Sequence, residues 1–469
     1  MVSIVWFRQD LRLADNPALV EAARNGEILP VFILDVNDRP LGGASKWWLH
    51  ESLIKLSESL GGLVLKKGDP EMILQSLAAQ SGADAVYWNR SYEPYTIKRD
   101  KKIKTALQGV GLTVKSFHGS VIYEPWQIQN NSGSAYKVYS PFWRAMQAKG
   151  IPAPLPASNF NIAPVKELSD ALEDLALHPE NPDWARDWKK LWQPGENGAM
   201  HRVDSFFEDG IKGYGELRNR PDLPNVSRLS PHIHYGEISP RQLFAKAQFI
   251  ADQNPALAKD IQKFKSEIAW RDFAIHLMYH FPTITEKNWK PAFDVFPWRQ
   301  SEDDLKAWKN GKTGYPMVDA GLRELWHTGF MHNRVRMLVA SFLVKHLRIH
   351  WLEGEAWFWD TLLDADMANN TASWQWVTGS GADAAPYFRI FSPISQGPKF
   401  DPNGEYVRKW CPELAKLPNA LVHTPFEASD EELAKAGIIL GETYPKPIVD
   451  HKKAREAALS GYEKVKQAG

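Results

Sequence analysis

Two rhythms of apolar and polar positions divide the chain. Over about the first 120 residues, short apolar runs at 3–8, 28–34, 63–67, 85–89 and 113–117 predict strands. Between them the spacing lengthens. Trp48, Leu49, Leu53, Leu56 and Leu60 follow a helical period across 45–60 and predict an amphipathic helix. Asp69-Pro70-Glu71 predicts the start of another: an N-cap, a proline in the first turn, then an acid near the positive end of the helix dipole. Strands alternating with helices predict a parallel sheet covered on both faces. Residues 1–124 are therefore expected to form an α/β, Rossmann-like domain. No G-x-G-x-x-G follows the first strand, so the usual dinucleotide fingerprint is absent.

Residues 125–195 change character. Nine of the chain's 32 prolines lie between 125 and 194, with a Ser/Gly patch at 131–134, and the segment reads as a long connector that wraps a surface. From 196 to 469 strand patterns largely vanish. Helical periodicity runs through 257–281, 321–350 and 357–376, and an all-helical domain is expected. The Lys- and Ala-rich stretch after Pro447 reads as a surface helix. No repeat period and no low-complexity segment is present.

One stretch breaks the amphipathic pattern. Residues 364–376 read Asp-Ala-Asp-Met-Ala-Asn-Asn-Thr-Ala-Ser-Trp-Gln-Trp. In a helix, Asp366, Asn370 and Trp374 fall at i, i+4 and i+8 on one face. A carboxylate, an amide and an indole where Leu or Val belongs suit a polar, ring-shaped ligand; a Trp-rich packed helix is the alternative. Two more clusters share this character. Glu267, Trp270 and Arg271 stand at i, i+3 and i+4, and Asn333, Arg336 and Met337 repeat the spacing. Together the three suggest a pocket between helices. Ser227-Arg228-Leu229-Ser230-Pro231 precedes a helical run. Its hydroxyls and N–H groups suit phosphate oxygens, and N-capping by Ser230 explains it equally.

Composition narrows the class. Hydrophobic residues make up 43% and charged residues 24%, as in ordinary globular proteins. No apolar run approaches the roughly 20 residues of a membrane span. The N-terminus reads as a strand rather than a secretory signal. Cys411 is the sole cysteine, which excludes internal disulfides, and the cytoplasm is the default compartment. Lys plus Arg equals Asp plus Glu at 56 each, so global charge does not announce nucleic acid, although a local basic stripe suffices to bind phosphates. Tryptophan is the outlier: 20 in all, eleven of them between Trp270 and Trp410. Packing, base stacking and electron relay all use Trp, and composition does not choose. A Walker loop, H-E-x-x-H and G-x-S-x-G are missing, the histidines are scattered, and no metal is expected.

The long motifs are more specific. Val5-Trp6-Phe7-Arg8 and Asp10-Leu11-Arg12, then Thr313-Gly314-Tyr315-Pro316-Met317-Val318-Asp319-Ala320, Met331-His332-Asn333-Arg334-Val335-Arg336-Met337, the 364–376 run and Asp383-Ala384-Ala385-Pro386-Tyr387-Phe388-Arg389 occur in order. On these the chain resembles the photolyase/cryptochrome family over essentially its whole length. The resemblance implies FAD in the helical domain, with Tyr214 and the segment Ser227, Arg228, Leu229 and Ser230 at its diphosphate and ribityl region. It implies Asp364 paired with Arg336, Asp366 at the polar edge of the isoalloxazine, and Asn370 facing N5. An amide there can offer its carbonyl or its NH₂ to a flavin nitrogen with or without a proton.

Plant cryptochromes typically carry Asp at this position and animal ones often Cys, so Asn370 favours a repair enzyme over the alternative, a cryptochrome-type signalling flavoprotein. Enzymes for (6-4) photoproducts would carry two histidines near Asn333 and Met337. Glu267, Asn333, Met337, Trp270 and Trp376 instead resemble the lesion pocket of enzymes for cyclobutane pyrimidine dimers. By the same resemblance Trp374, Trp351 and Trp298 form an electron path, Trp374 nearest the flavin and Trp298 nearest solvent. Arg218, Arg334, Arg389 and Lys399 would meet DNA phosphates. Val226 stands where many members carry Thr. A methenyl-folate or 8-hydroxy-5-deazaflavin antenna would be met by segments 42–48 and 88–94, including Asn89 and Glu93. The partner is UV-damaged DNA, and a monomer is the simplest expectation.

Overall fold

A computed structural model describes residues 1–164, 167–384 and 388–469. Five strands, β1 (Val2–Phe7), β2 (Glu27–Asp35), β3 (Val64–Gly68), β4 (Ala85–Asn89) and β5 (Thr113–Phe117), form one parallel sheet in the order β3-β2-β1-β4-β5. The runs of β1, β2 and β4 are largely buried, with Ile4, Trp6, Val31, Val86 and Trp88 in one core cluster, while the edge strand β5 buries only Val114. Helices cross over between strands, among them Gly43–Leu60 and Pro70–Ser81. Asp69 caps the second by accepting from Glu71 N and Met72 N. Strand order reverses beside β1, the usual place for a ligand crevice in open α/β sheets. Here that crevice is filled by the chain. Asn89 Nδ2 donates to Asp10 Oδ2 at 2.6 Å and to Asn16 Oδ1 at 2.7 Å, and Asn89 Oδ1 accepts from Ala18 N. Asn89 is therefore a lock between loops, not a free contact for a pigment.

Two compact units emerge from the contacts. One comprises Met1–Lys212, Ser227–Pro282 and Leu363–Ala368; the other comprises Gly213–Val226, Thr283–Leu362 and Asn369–Gly469. In the first unit the proline-rich segment packs on the α/β core. Ala163 N donates to Ile28 O and Asp170 N to Leu65 O, and Trp188 sets its ring edge against Trp47 at 5.3 Å.

Two of the expected long helices are broken. The 321–350 pattern becomes Pro316–Thr328, Asn333–Ser341 and a wide turn at Phe342–His346. The first ends at Gly329, whose φ of 65° only glycine adopts cheaply. The 357–376 pattern becomes Trp351–Thr361 and Met367–Thr378. Leu362 is extended between them, yet Leu362, Leu363 and Ala365 stay buried, so the apolar rhythm hides the break. The 257–281 pattern is one helix, Ala258–His280.

The Thr313–Ala320 motif is structural. Buried Asp319 accepts from Thr313 N, Thr313 Oγ1, Gly314 N and Tyr444 Oη at 2.6–3.0 Å, which fixes the entry to the Pro316–Thr328 helix. The tail helix His451–Ala468 buries Ala454, Ala458, Gly461 and Val465. Among the described residues no helix is long and apolar enough to cross a membrane.

Candidate functional site

In the second unit, the Met367–Thr378 helix places Asn370 and Trp374 one turn apart on a buried face. Asn370 Nδ2 donates to Glu355 O at 3.0 Å and to Glu355 Oε1 at 2.9 Å. Both partners are acceptors, so the amide has one sensible orientation: its NH₂ faces Glu355 and its carbonyl oxygen points away. The sequence left both orientations open, and Glu355, which settles the choice, was not among the expected residues.

Trp374 presses on the same neighbouring helix. A Cβ on Gly354 would come within 2.1 Å of the Trp374 ring. Phe358 and Trp308 pack edge-on at 5.0 and 6.3 Å, while the Trp374 indole N–H has no hydrogen-bond partner among the described residues. Gly354 stands one turn beyond Trp351, which is fully buried and donates to Asn288 Oδ1 at 3.0 Å. His350 then joins Trp351 to Trp298, with ring centroids 5.6 and 4.8 Å away. Burial holds its pKa down, so His350 is neutral at pH 7, and its Nδ1 accepts from Leu352 N. Trp298 is only half-buried. A line of rings thus runs from a buried indole to the surface; His350 is a member that sequence reasoning missed.

The Asn333–Ser341 helix carries Asn333 exposed at its start and Met337 half-buried one turn on, on one face. Arg336 reaches back toward the helix start: its Nε donates to Met331 O at 2.7 Å and its guanidinium lies over Phe330. Arg334 gathers two segments. It donates to Asn219 Oδ1 and lies over Phe400 at 4.6 Å. The residues adjoining those two contacts are Arg218, stacked over the buried Tyr214 ring at 5.6 Å, and Lys399. Three of the four expected phosphate contacts are therefore neighbours. Arg389 is exposed, and its carbonyl accepts from buried Lys345. Trp376 lies half-buried two residues past Trp374. Of the Asp383–Arg389 motif, residues 385–387 lie outside the described residues.

In the first unit, Asp366 precedes the Met367–Thr378 helix instead of belonging to it, which corrects the i, i+4, i+8 stripe. Its Oδ2 is 3.8 Å from Nδ1 of the buried His234; Asp364 lies in the same short connection. The 227–229 segment is irregular and leads directly into a helix. Arg228 adopts a φ of 51°, Leu229 is buried, Ser227 O accepts from Arg202 Nε, and Ser230 is the first residue of a five-residue helix. No side chain caps that helix, so Ser230 is not the N-cap. The helix that follows is held through His232 by a second unforeseen residue. Buried Glu237 accepts from Trp48 Nε1 at 3.1 Å, Gly195 N at 2.7 Å, Ser52 Oγ and the His232 ring. Trp48 is thereby a structural residue of the core.

On the Ala258–His280 helix, Glu267 pairs with Lys263 at 2.6 Å. Trp270 stacks flat on Tyr139 of the connector, centroids 3.6 Å apart, and Tyr139 Oη is fixed by Ser266. Near the end of β4, burial and the charges of Asp38 and Asp366 push Glu93 up to about 8.

The chain joins a doubly wound α/β sheet to a helical part with a Trp-lined, amide-bearing face, and the comparisons assign this combination to a class of flavoproteins. Residues 3–159 match the family described as DNA photolyase, and residues 264–464 match the FAD binding domain of DNA photolyase. The chain is 52% identical to a deoxyribodipyrimidine photo-lyase of Agrobacterium fabrum, over 99% of this chain and 98% of that one. It is 36% identical to Cryptochrome-2 of Arabidopsis thaliana, over 99% of this chain and 79% of that one. A crystal structure of a bacterial class III photolyase from Agrobacterium tumefaciens superposes with a TM-score of 0.95 at 51% identity, covering 99% of this chain and 98% of the other. The chain belongs to the DNA photolyase family.

The family's cofactor is FAD, and the residues present fit it. Asn370 has its NH₂ committed and its carbonyl oxygen left as an acceptor. The 227–230 segment has Arg228 in the left-handed region and its Ser227 carbonyl held by Arg202, and Asp366 supplies a carboxylate.

Proposed function

We propose that the chain is a deoxyribodipyrimidine photo-lyase, which uses blue light to split cyclobutane pyrimidine dimers in UV-damaged DNA. The full-length similarity to a named photo-lyase supports the reaction. The observation that carries the reading is the fixed Asn370 amide, which presents an oxygen rather than a donor. FAD, when bound, supplies the light absorption and the electron. Tyr214, Ser227, Arg228, Leu229, Ser230, Arg336, Asp364 and Asp366 would hold it, with the Asn370 oxygen accepting from N5–H.

The chain's own groups do the rest. Trp270, held flat by Tyr139, and Trp376 offer apolar walls to a dimer that has left the stack, where its poor stacking makes extrusion cheap. Glu267 and Asn333 hydrogen-bond base edges, and Met337 fills the space beside Asn333. Trp374, Trp351 and Trp298 carry electrons inward from the surface, and a neutral His350 keeps a cation out of that line. Arg218, Arg334 and Lys399, with Arg389, contact phosphates, which positions the strand without reading its sequence. Glu93, protonated at neutral pH, is the group in segments 42–48 and 88–94 best suited to donate to an antenna pigment. The reading places the enzyme in the cytoplasm as a monomer.

The test incubates FAD-loaded, chemically reduced protein with dimer-containing single-stranded DNA in blue light and in darkness. Thymines restored only in the light support the lyase. Protein with FAD bound that restores none, yet changes its light-dependent spectrum, would instead mark a cryptochrome-type sensor.

A further inference from the structure

Away from every residue assigned above, the second unit carries a groove of about 390 Å³ at the C-terminal end of the Pro316–Thr328 helix. Trp326 stands there 59% exposed, the most exposed tryptophan among the described residues. Packing does not explain it, because most of the ring meets water. It lies parallel to Trp357, centroids 5.9 Å apart and planes 3° from parallel, and Lys309 Nζ sits 5.2 Å over Trp357. The next residue repeats the arrangement. His327 stacks on Trp410 at 6.2 Å and 15°, and Lys409 Nζ sits 5.1 Å over Trp410. All four rings line the one groove.

Its charges are unequal. The groove's carboxylate, Glu413, is consumed by Arg323 at 2.7 Å, whereas no acidic partner engages Lys309 or Lys409 among the described residues. Two adjacent π platforms, each with its own free ammonium, match a repeating ligand that offers one flat ring and one anion per unit. We propose that this groove binds two successive nucleotides of a single-stranded nucleic acid, the bases against Trp326 and His327 and the phosphates near Lys309 and Lys409. A nucleic-acid strand fits better than a free nucleotide because the platform-plus-cation unit occurs twice and the groove lies open along the surface.

The probe is a labelled, lesion-free ten-residue thymidine oligonucleotide, titrated by fluorescence anisotropy against the full chain with FAD. Trp326→Ala should weaken binding roughly tenfold, the scale of one lost base stack, and Trp326→Phe should recover most of it. Lys309→Gln with Lys409→Gln should flatten the slope of log affinity against log salt by about 1.4, two single-strand phosphate contacts at about 0.7 each. Light-driven splitting of a bare thymine-dimer dinucleotide should stay at the wild-type rate in all three variants. A wild-type protein that fails that splitting refutes the lyase reading and leaves this one to the titration. Unchanged affinity and salt slope would overturn the groove. So would thymidine monophosphate that saturates the groove as tightly as the strand, or a concentration-dependent dimer that Trp326→Ala abolishes, which would make the occupant a second copy of the chain.

Discussion

Replacing Asn370 by aspartate exchanges an NH₂ for an oxygen and reverses the hydrogen-bond chemistry of a buried site. In the native arrangement the Asn370 NH₂ serves two acceptors, Glu355 O and Glu355 Oε1, and both residues are more than nine-tenths buried. A hydrogen bond to a carboxylate contributes about 1.5–3 kcal/mol, and stranding the buried backbone carbonyl costs about 1–3 kcal/mol more. Once ionised, the introduced carboxylate would also face Glu355 at contact distance, a repulsion of roughly 4 kcal/mol at an effective dielectric of 20. The variant escapes part of this by holding its proton, so the new group's folded pKa lies above the unfolded value near 3.9.

The sign follows from linkage. Below the unfolded pKa both states are protonated and only the lost second hydrogen bond remains, about 1 kcal/mol. As pH rises toward the raised folded pKa the unfolded state releases its proton first and the penalty grows; above that pKa it is constant. Denaturant unfolding of the second unit should show Asn370→Asp destabilised by about 3–5 kcal/mol at pH 8 and by about 1 kcal/mol near pH 4. Adding Glu355→Gln, whose NH₂ can donate to the introduced carboxylate, should recover about half the loss. A variant as stable as wild type at pH 8, or one whose penalty ignores pH, would refute the fixed amide and with it the acceptor at the flavin.

Three further outcomes follow from the same geometry. Gly354→Ala drives a methyl into the Trp374 ring and should cost about 1–3 kcal/mol in thermal unfolding while slowing photoreduction of bound flavin. Trp374→Phe loses no hydrogen bond, because the indole N–H makes none among the described residues. Stability should fall by about 1–3 kcal/mol for the space the smaller ring leaves empty, photoreduction of oxidised flavin should stop, and repair by chemically reduced enzyme should persist; loss of that repair would give Trp374 a binding role. Lys345 is held down to about 7 by burial and then by Arg389. The folded state therefore pays most where both states are charged, at and below pH 7. Lys345→Met should be more stable than wild type there by up to about 4–5 kcal/mol, a gap that closes as pH rises toward 10 and is read by denaturant midpoints across that range.

What the sequence could and could not show follows from the range of each interaction. The strand at 85–89 is found where its apolar run put it, because a buried parallel strand needs only a short hydrophobic segment between turns, and the edge strand at 113–117 pairs with it although only Val114 is buried. Asp69 was legible because a cap acts within three residues. The end of the Pro316–Thr328 helix had a local sign in Gly329, and the 321–350 periodicity overrode it. The pause at 362–366 had none. Leu362, Leu363 and Ala365 continue the apolar rhythm while the backbone leaves the helix.

The site separates in the same way. Side-chain types drew attention to Asn370 and Trp374, because an amide in line with an indole on a helix face is unusual; Trp351 and Trp298 entered only through the family resemblance. The residues that orient them are ordinary in type and distant in sequence. Glu355 meets Asn370 across 15 residues, and Glu237 meets Trp48 across 189. Neither carboxylate differs in sequence from the many that face solvent. Gly354 is the intermediate case. A glycine inside a helix costs up to about 1 kcal/mol against alanine, so its presence in Trp351–Thr361 signalled that something must approach the backbone closely. Only the fold shows that it is Trp374, and that fact makes the tryptophan's position a property of the helix it leans on as much as of its own.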